Sequence, residues 1–576
     1  MRRRGDRPMR LLQAITSWLF KRKAERTAFK DALPALKDAI AQDGAHAGLT
    51  REAADHLAAG RLADAENVLE QALAQRHDDA DAHFLKGLLL KRQARFEEAM
   101  DSFLLATHFR PNFAEAHYQL GLVASSQGAA TDAERHYRRA LEVDPRHARA
   151  YVAHGALLVG RASLEAAVDC FRKAIEIDPD YAQAHSNLGM LMATRLDRFD
   201  EAISHLEKAW RLAPDDPDVM CNWAMYLQQR GQLAESIALL DRLVDADATD
   251  PVPRLNRALA RLKMGDFPRG WVDYEWRKQA GWPYEARAFP FPEWRGESLA
   301  GRKILVHAEQ GLGDQIMFAS CIPDLIAMGA HCVIECAPKL EALFRRSFPD
   351  ATITTGFTPD AMHNSIEFYV AMGSLPLHVR TSRETFPAHR GYLRADPQSI
   401  ARWRQRLAQL PGKRKIGVAW RGGASSTRRS VRSVPLDLWL PILRRSDVSF
   451  VSLQYTDCRE EIERMEREYG LRIHHWPEAI DDYDQTAALV CALDLLISVQ
   501  TAIVHLSGAL GRPVWVMVPA VAEWRYLQSG ERLPWYPAVR LFRQTATGDW
   551  TEVVGRIAAA LDHGDAGKDG AGDTAI

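Results

Sequence analysis

Three short segments in the C-terminal half of this 576-residue chain gather glycine, hydroxyl, imidazole, carboxylate and guanidinium groups at spacings that suit chemistry on a charged ligand. The first is Gly311-Leu312-Gly313-Asp314. Two glycines let backbone approach a ligand, and Asp314 sits at the start of a helix. A local alternative stands beside it: Asp314 caps its own helix. The second runs from Gly417 through Gly422 and Gly423 to Pro435, with Arg421, Arg428, Arg429 and Arg432 inside twelve residues. Glycines and fixed guanidinium donors following a strand suit a diphosphate, whereas a bare charge run is a solvated loop. The third is Ile497-Ser498-Val499-Gln500-Thr501-Ala502-Ile503-Val504-His505. Thr501 reads as a helix cap and His505 falls four residues on, over the same face. The positive end of that helix can hold a phosphate, and a purely structural histidine is the alternative.

Elements that would position these groups are legible around them. Short β-rich runs at 303–307, 332–336, 368–372, 415–420, 449–454, 495–499 and 514–518 alternate with helical stretches, which implies parallel sheets. A helical, basic stretch over 402–415 separates two such sets, predicting two Rossmann-like halves that face a cleft. In open α/β sheets ligands sit at the carboxyl ends of strands, where all three segments fall. Pro323 predicts a kink in the helix that runs on to Gly329. Phe289-Pro290-Phe291-Pro292 forbids helix and predicts an extended strap packed on a neighbour.

The N-terminal half repeats itself every 34 residues: Gly87, Gly121, Gly155 and Gly189. Ala99, Ala133 and Ala167 follow at fixed offsets, as do Phe103, Tyr137 and Phe171, then Ala106, Ala140 and Ala174, and each unit closes on Pro111, Pro145 or Pro179. This period and pattern resemble the tetratricopeptide repeat. Small residues let paired helices approach, the aromatic is expected to fill the space between units, and proline starts the next turn. Degenerate units around Ala65, Ala224 and Ala258 extend the array to about seven units over 46–280. Such arrays present a concave groove to a partner protein or serve oligomer assembly.

Composition excludes several classes. With 74 basic and 75 acidic residues there is no general attraction to nucleic acid. Seven scattered cysteines, without a C-x-x-C pair, fit a reduced, cytoplasmic compartment. No apolar run approaches the ~20 residues that span a bilayer. Residues 1–30 are basic, with Leu11, Leu12, Ile15, Trp18, Leu19 and Phe20 at helical spacing, and carry no secretory cleavage site. Two readings stand for that segment: a cap on the repeats, or a helix lying through residues 9–24 on an anionic surface such as the inner membrane. The Gly, Asp and Ala tail over 563–576 predicts disorder.

Taken together, the C-terminal segments resemble the heptosyltransferase-like (glycosyltransferase family 9-like) enzymes, and the whole chain resembles bacterial members fused to tetratricopeptide repeats. The run His307 to Asp314 is similar to that family's first-loop motif, and 495–519, with Ser498, Thr501, His505 and Gly511-Arg512-Pro513, to its nucleotide-site motif. Trp524-Arg525, Trp535-Tyr536-Pro537 and Leu541 to Gln544 are similar to the fused subfamily.

This resemblance implies an α-solenoid followed by an α/β GT-B type pair of Rossmann-like domains, a nucleotide-sugar donor as substrate rather than any cofactor, inversion at the anomeric carbon, and no metal. On that model Asp314 is the general base; Gly311, Gly313, Arg429, Arg432, Gln454, Gln500, Thr501 and His505 hold the donor's diphosphate or nucleotide. If Asp314 only caps its helix, His307 or Glu309 takes the base role. Asp482 and Asp484 form a D-x-D before a helix and read as capping, not metal ligation. The family commonly has aspartate where this chain has Gln500, which leaves donor identity open and admits a noncatalytic scaffold as the alternative. The expected organisation is a cap over 1–45, repeats over 46–280, a first Rossmann-like half over 281–400, a nucleotide-sugar-binding half over 401–562 and the tail. The expected function is transfer of a sugar to a protein or polysaccharide acceptor that the repeats position.

Overall fold

A computed structural model describes residues 48–196, 198–280, 287–357, 365–423 and 429–563. The expectations for residues 1–45, Arg428 and all but the first residue of the tail lie outside them. The chain divides into two compact units whose sequence boundary falls between Tyr226 and Leu227.

Fourteen described helices follow one another as seven helix-turn-helix repeats between Gly48 and Tyr274. Spacing explains why the helices of a repeat pair closely. A Cβ at Gly87 would lie 2.5 Å from the Phe103 ring, and one at Gly155 would lie 2.7 Å from that of Phe171, so only glycine admits the aromatic there. The ring therefore fills the space inside its own hairpin, not between units as the spacing alone suggests. Sixteen residues separate glycine from aromatic, which brings them face to face once the helices fold back. Turns between hairpins are tied down by imidazole: His117 Nε2 bonds the Pro111 carbonyl at 3.2 Å and His185 Nε2 that of Pro179 at 2.9 Å. Ala53, Ala99, Phe103, Ala133, Tyr137, Ala167 and Phe171 are buried, in three successive clusters along the array.

The unit beginning at Leu227 holds the last helices of the array and an α/β region with two sheets. Strands β1 (Lys303–His307), β2 (His331–Glu335), β3 (Thr352–Thr354) and β4 (Phe368–Ala371) make an all-parallel sheet in the order β3-β2-β1-β4. Strands β5 (Arg414–Ala419), β6 (Val448–Ser452), β7 (Ile473–His475), β8 (Leu495–Val499), β9 (Val514–Val518), β10 (Arg532–Leu533) and β11 (Tyr536–Arg543) make a second sheet. Its order is β10-β11-β9-β8-β5-β6-β7, parallel except for the short β10–β11 pair. Strand order reverses between β1 and β4 in the first sheet and between β5 and β8 in the second. In open α/β sheets the carboxyl edge at such a switch point is where ligands bind.

The central strands of both sheets are buried on two faces, which is why they read as apolar runs. Ile416, Val418, Trp420, Phe450, Ile497, Trp515 and Phe542 anchor the second core, closed by Val553 and Ile557 of the helix Thr551–Asp562. The Phe-Pro strap runs extended beside β4: Tyr369 donates to the Pro292 carbonyl at 3.0 Å, and Trp294 to that of Tyr369 at 2.8 Å. Pro323 does more than kink its helix. The stretch splits into a helix Leu312–Phe318, a 3-10 turn and a helix Ile322–Ala327. Proline lacks the N–H that a continuous helix needs at that point. Among the described residues no helix is long and apolar enough to cross a membrane.

The last described hairpin ends at Tyr274, and a 3-10 turn over Glu275–Lys278 follows it. Compactness breaks earlier because the last hairpin is pinned to the α/β loops by Trp271, whose Nε1 donates to the Arg380 carbonyl at 2.9 Å, and by Gln528, whose backbone N–H donates to the Lys263 carbonyl at 2.8 Å.

Candidate functional site

Gly311 occupies the N-cap of the helix Leu312–Phe318 and makes no side-chain cap, so Asp314 stands in the first turn with its carboxylate free to point outward. It does not cap that helix. Instead Arg525 Nε donates to Asp314 Oδ1 at 2.7 Å. Arg525 lies in the loop after β9, one residue after Trp524, over whose ring its guanidinium sits at 4.7 Å. Its Nη2 meets the same Asp314 oxygen, Nη1 approaches Glu523 at 3.3 Å, and Arg432 reaches the second oxygen of the Glu523 carboxylate at 3.2 Å. A ladder Asp314–Arg525–Glu523–Arg432 thus joins the loop after β1 to the loops after β5 and β9. Burial works against the Arg525 charge, yet the carboxylates of Asp314 and Glu523 outweigh it and hold its pKa above the ordinary arginine value.

The second sheet's switch point carries Gln500 and Thr501. Gln500 is 2% exposed, and neither amide atom has a protein partner. That is costly for a buried amide unless something else meets it. Thr501 stands at the N-cap of the helix Ala502–Ala509 without a side-chain cap bond; its hydroxyl faces Ser498 at 3.4 Å. The expected threonine cap is therefore absent, and the first backbone N–H groups are left to other acceptors. Gly422 comes so close that a Cβ would lie 2.8 Å from the Gln500 carbonyl.

His505 is packed inward. Its Nδ1 faces the Tyr536 hydroxyl at 3.1 Å, and burial, then the nearby Arg525 charge, lowers its pKa to about 3, so the ring is neutral. It cannot supply a positive charge to a phosphate at neutral pH. A Cβ on Gly313 would lie 3.2 Å from His505 Cδ2 and 3.5 Å from Ala502 Cα. The Asp314 turn and the Thr501 helix start do face each other, but in contact: His505, Ala502 and Arg525 fill the space where an open cleft was expected.

The remaining candidates separate by role. Gln454 clamps the end of β5, its Oε1 accepting from Arg421 N at 3.0 Å and its Nε2 donating to Arg421 O at 3.1 Å. Nε2 also donates to Thr456 Oγ1 at 3.1 Å, so both amide ends are committed within the protein, which argues against donor contact. Of the arginine run, Arg421 turns to Glu461 at 2.9 Å, Arg432 pairs with Glu523, and Arg429 is exposed. A diphosphate would therefore meet fewer free guanidinium groups than the spacing suggests. His307 is fully buried beneath Phe289 and Tyr369, and burial takes its pKa down to about 3. Glu309 is held by Arg277 at 2.7 Å. Neither stands ready as a base. Asp482 caps the helix Tyr483–Ala492 as expected, whereas Asp484 instead pairs with Arg346 at 2.8 Å. Among the described residues no group of three or more His, Cys, Asp or Glu side chains is placed to hold a metal.

Glu523 was missed in the sequence, and Arg525 was noted only within the pair Trp524-Arg525, with no role assigned beside Asp314. Nothing in local spacing links them to Asp314; an arginine beside a tryptophan after a buried strand was the available signal.

Comparison with known proteins bears on the helical part. Tetratricopeptide-repeat family models match residues 50–117, 114–147, 162–194 and 193–262. Residues 50–262 are tetratricopeptide repeats. Protein FlbA of Caulobacter vibrioides is 32% identical over 383 residues, covering 62% of this chain and 64% of that protein. The aligned length exceeds that of the array, so the likeness reaches into the α/β region; the chain spans less than two thirds of FlbA. Solved tetratricopeptide structures resemble part of the chain. One from Parabacteroides merdae is 18% identical (TM-score 0.35), covering 41% of this chain and 93% of that one. A thermophilic one from Thermus thermophilus is 23% identical (TM-score 0.29), covering 32% and 99%.

Proposed function

We propose that the α/β region is an inverting, metal-independent glycosyltransferase of GT-B type, moving a sugar from a nucleotide-sugar donor to a protein or glycan acceptor that the repeats position. One observation carries this reading: the Asp314–Arg525–Glu523–Arg432 ladder, which sets a carboxylate and guanidinium groups at the carboxyl edges of two parallel sheets.

In this reading the acceptor hydroxyl attacks the anomeric carbon while its proton passes to the Asp314 carboxylate. The bond from that carbon to the diphosphate oxygen breaks, and the leaving group takes the electron pair. Arg525, released as Asp314 takes the proton, then meets the developing charge together with exposed Arg429 and the uncapped start of the helix Ala502–Ala509. Gln500 supplies a neutral amide that can donate to a phosphate or a sugar hydroxyl. The arrangement described above is the closed form, and donor entry parts the Asp314 turn from the Thr501 helix. Tetratricopeptide arrays bind protein partners in their grooves, which suits a polymeric acceptor.

Thermal-shift screening of the whole chain against a panel of UDP-, GDP- and ADP-sugars tests the binding step, since a ligand specific to the native state raises its melting temperature. Release of nucleoside diphosphate tests the chemistry. A second reading, a repeat scaffold with a noncatalytic α/β region, is favoured by the direct packing of Gly313 on Ala502 and His505. No response to any nucleotide-sugar would select it.

A further inference from the structure

The segment that leaves the last helical hairpin carries the most deeply buried charge in this unit. Arg277 is fully buried. Its guanidinium donates to Glu309 at 2.7 Å, to Glu275 at 2.8 Å and to the Ser374 hydroxyl at 2.8 Å. Glu309 also accepts from the Gly373 backbone N–H at 3.0 Å, and a Cβ at Gly373 would overlap that carboxylate. Glu309 lies in the loop after β1 and Gly373 follows β4, so this cluster occupies the switch point of the first sheet. One helical turn earlier, Tyr274 shares its hydroxyl with Gln310: Gln310 Nε2 donates to it at 2.9 Å. Glu309 and Gln310 directly precede the glycine turn that presents Asp314.

The same hairpin grips the other partner of the ladder. The Trp271 ring meets Trp524 edge-on at 5.7 Å, and Tyr274 lies 5.9 Å from it. Gln528 is held by the Lys263 carbonyl through its backbone and by the Gly231 carbonyl, at 3.0 Å, through its amide. Arg525 sits between those two anchors.

We infer that the last repeat hairpin is a positioning element of the proposed site: Tyr274 and Arg277 fix the loop that carries Asp314, and Trp271 fixes the loop that carries Arg525. The inference rests on the transferase reading for its catalytic consequence and on geometry alone for the contacts. A buried ion pair adds little net stability but admits one arrangement of its partners. The loop from β1 to Asp314 is short, so a shift at Glu309 or Gln310 reaches the carboxylate undamped, and misplacement by about 1 Å costs roughly a hundredfold in rate. The last hairpin and the chemistry are then mechanically one piece.

Tyr274→Phe removes only the hydroxyl, and Arg277→Lys keeps the charge while losing the forked contact. Both are made in the full chain and assayed with whichever UDP-, GDP- or ADP-sugar the unaltered protein turns over. The expected result is kcat lower by about 10- to 100-fold with donor KM changed less than about twofold. Hydrogen exchange should quicken over residues 308–316, with the melting temperature lowered by no more than about 4 °C. Unchanged exchange there, or faster exchange spread over the whole unit, overturns the inference, as does full kcat alongside a loosened loop. If the unaltered protein turns over none of the sugars, the transferase reading fails by itself; quicker exchange confined to that loop then still upholds the structural link, and unchanged exchange removes it.

Discussion

Arg525 donates from Nε to Oδ1 of Asp314 at 2.7 Å, across 211 residues of sequence. Both side chains are at most one-fifth exposed, so each is the other's principal compensation for lost hydration. Asp314→Asn leaves a buried guanidinium without its carboxylate and is expected to cost about 2–4 kcal/mol in chemical denaturation. Transfer should vanish while nucleotide-sugar binding persists. Asp314→Asn combined with Arg525→Gln should recover most of the stability but no activity. Retained activity in the single variant would remove Asp314 as base.

Gln500 offers a test of occupancy at the second switch point. Gln500→Met keeps volume and discards two unpartnered polar atoms. The unliganded protein should gain about 1–2 kcal/mol, because an unmatched buried amide is unfavourable. The melting-temperature rise produced by a bound nucleotide-sugar should shrink in the same variant. A variant that responds to the sugar as fully as the parent would show that the amide does not touch the donor.

Close packing between the Gly313 turn and the Ala502–Ala509 helix leaves little room for growth. Gly313→Val puts branches against His505 and Ala502 and should destabilise by about 1–3 kcal/mol. If the variant instead melts like the parent, the two elements are further apart in solution than 3.2 Å to His505 implies.

Several buried histidines contribute to a pH dependence, with His505 and His307 lowered furthest. His505 and His307 each have a folded pKa near 3, lowered first by burial, against an ordinary value of 6.5. Below pH 6.5 the unfolded chain binds protons that the fold refuses. Stability is thus fully present above about pH 6.5 and falls as pH drops toward 3. Melting temperatures between pH 7.5 and 4.5 should decline, and His505→Gln should flatten the slope. An unchanged slope would mean that His505 is hydrated and titrates normally.

In the repeats, Gly155→Ala forces a methyl to within 2.7 Å of the Phe171 ring and should cost about 1–3 kcal/mol. Because each repeat touches only its neighbours, faster hydrogen exchange should stay within residues 148–177 and the adjoining hairpins. Exchange spread evenly along the array would contradict a nearest-neighbour solenoid.

Much of this architecture follows from sequence alone. A 34-residue period needs no tertiary information, because each repeat is a local unit whose glycine, alanine and aromatic positions recur in register. The seven strands read as apolar runs lie within two residues of where they form, since burial on both faces leaves no polar interruption. The short β3, β7 and β10 and the long β11 escaped notice: two or three residues carry too little pattern, and β11 is broken by Pro537, Arg540 and Arg543. Gly311, Gly313, Asp314, Gln500 and Thr501 stand just after the buried strands β1 and β8, where their spacing put them.

What the fold alone decided is which charges meet. Glycine turns and helix starts are encoded within a few residues, through backbone conformations that neighbours dictate. The pairing of Asp314 with Arg525, the capture of Glu309 by Arg277 and the commitment of Gln454 to the Arg421 backbone join residues tens to hundreds apart. Such contacts depend on how strands order themselves within a sheet, and side-chain electrostatics at that range leaves no periodic trace in the chain.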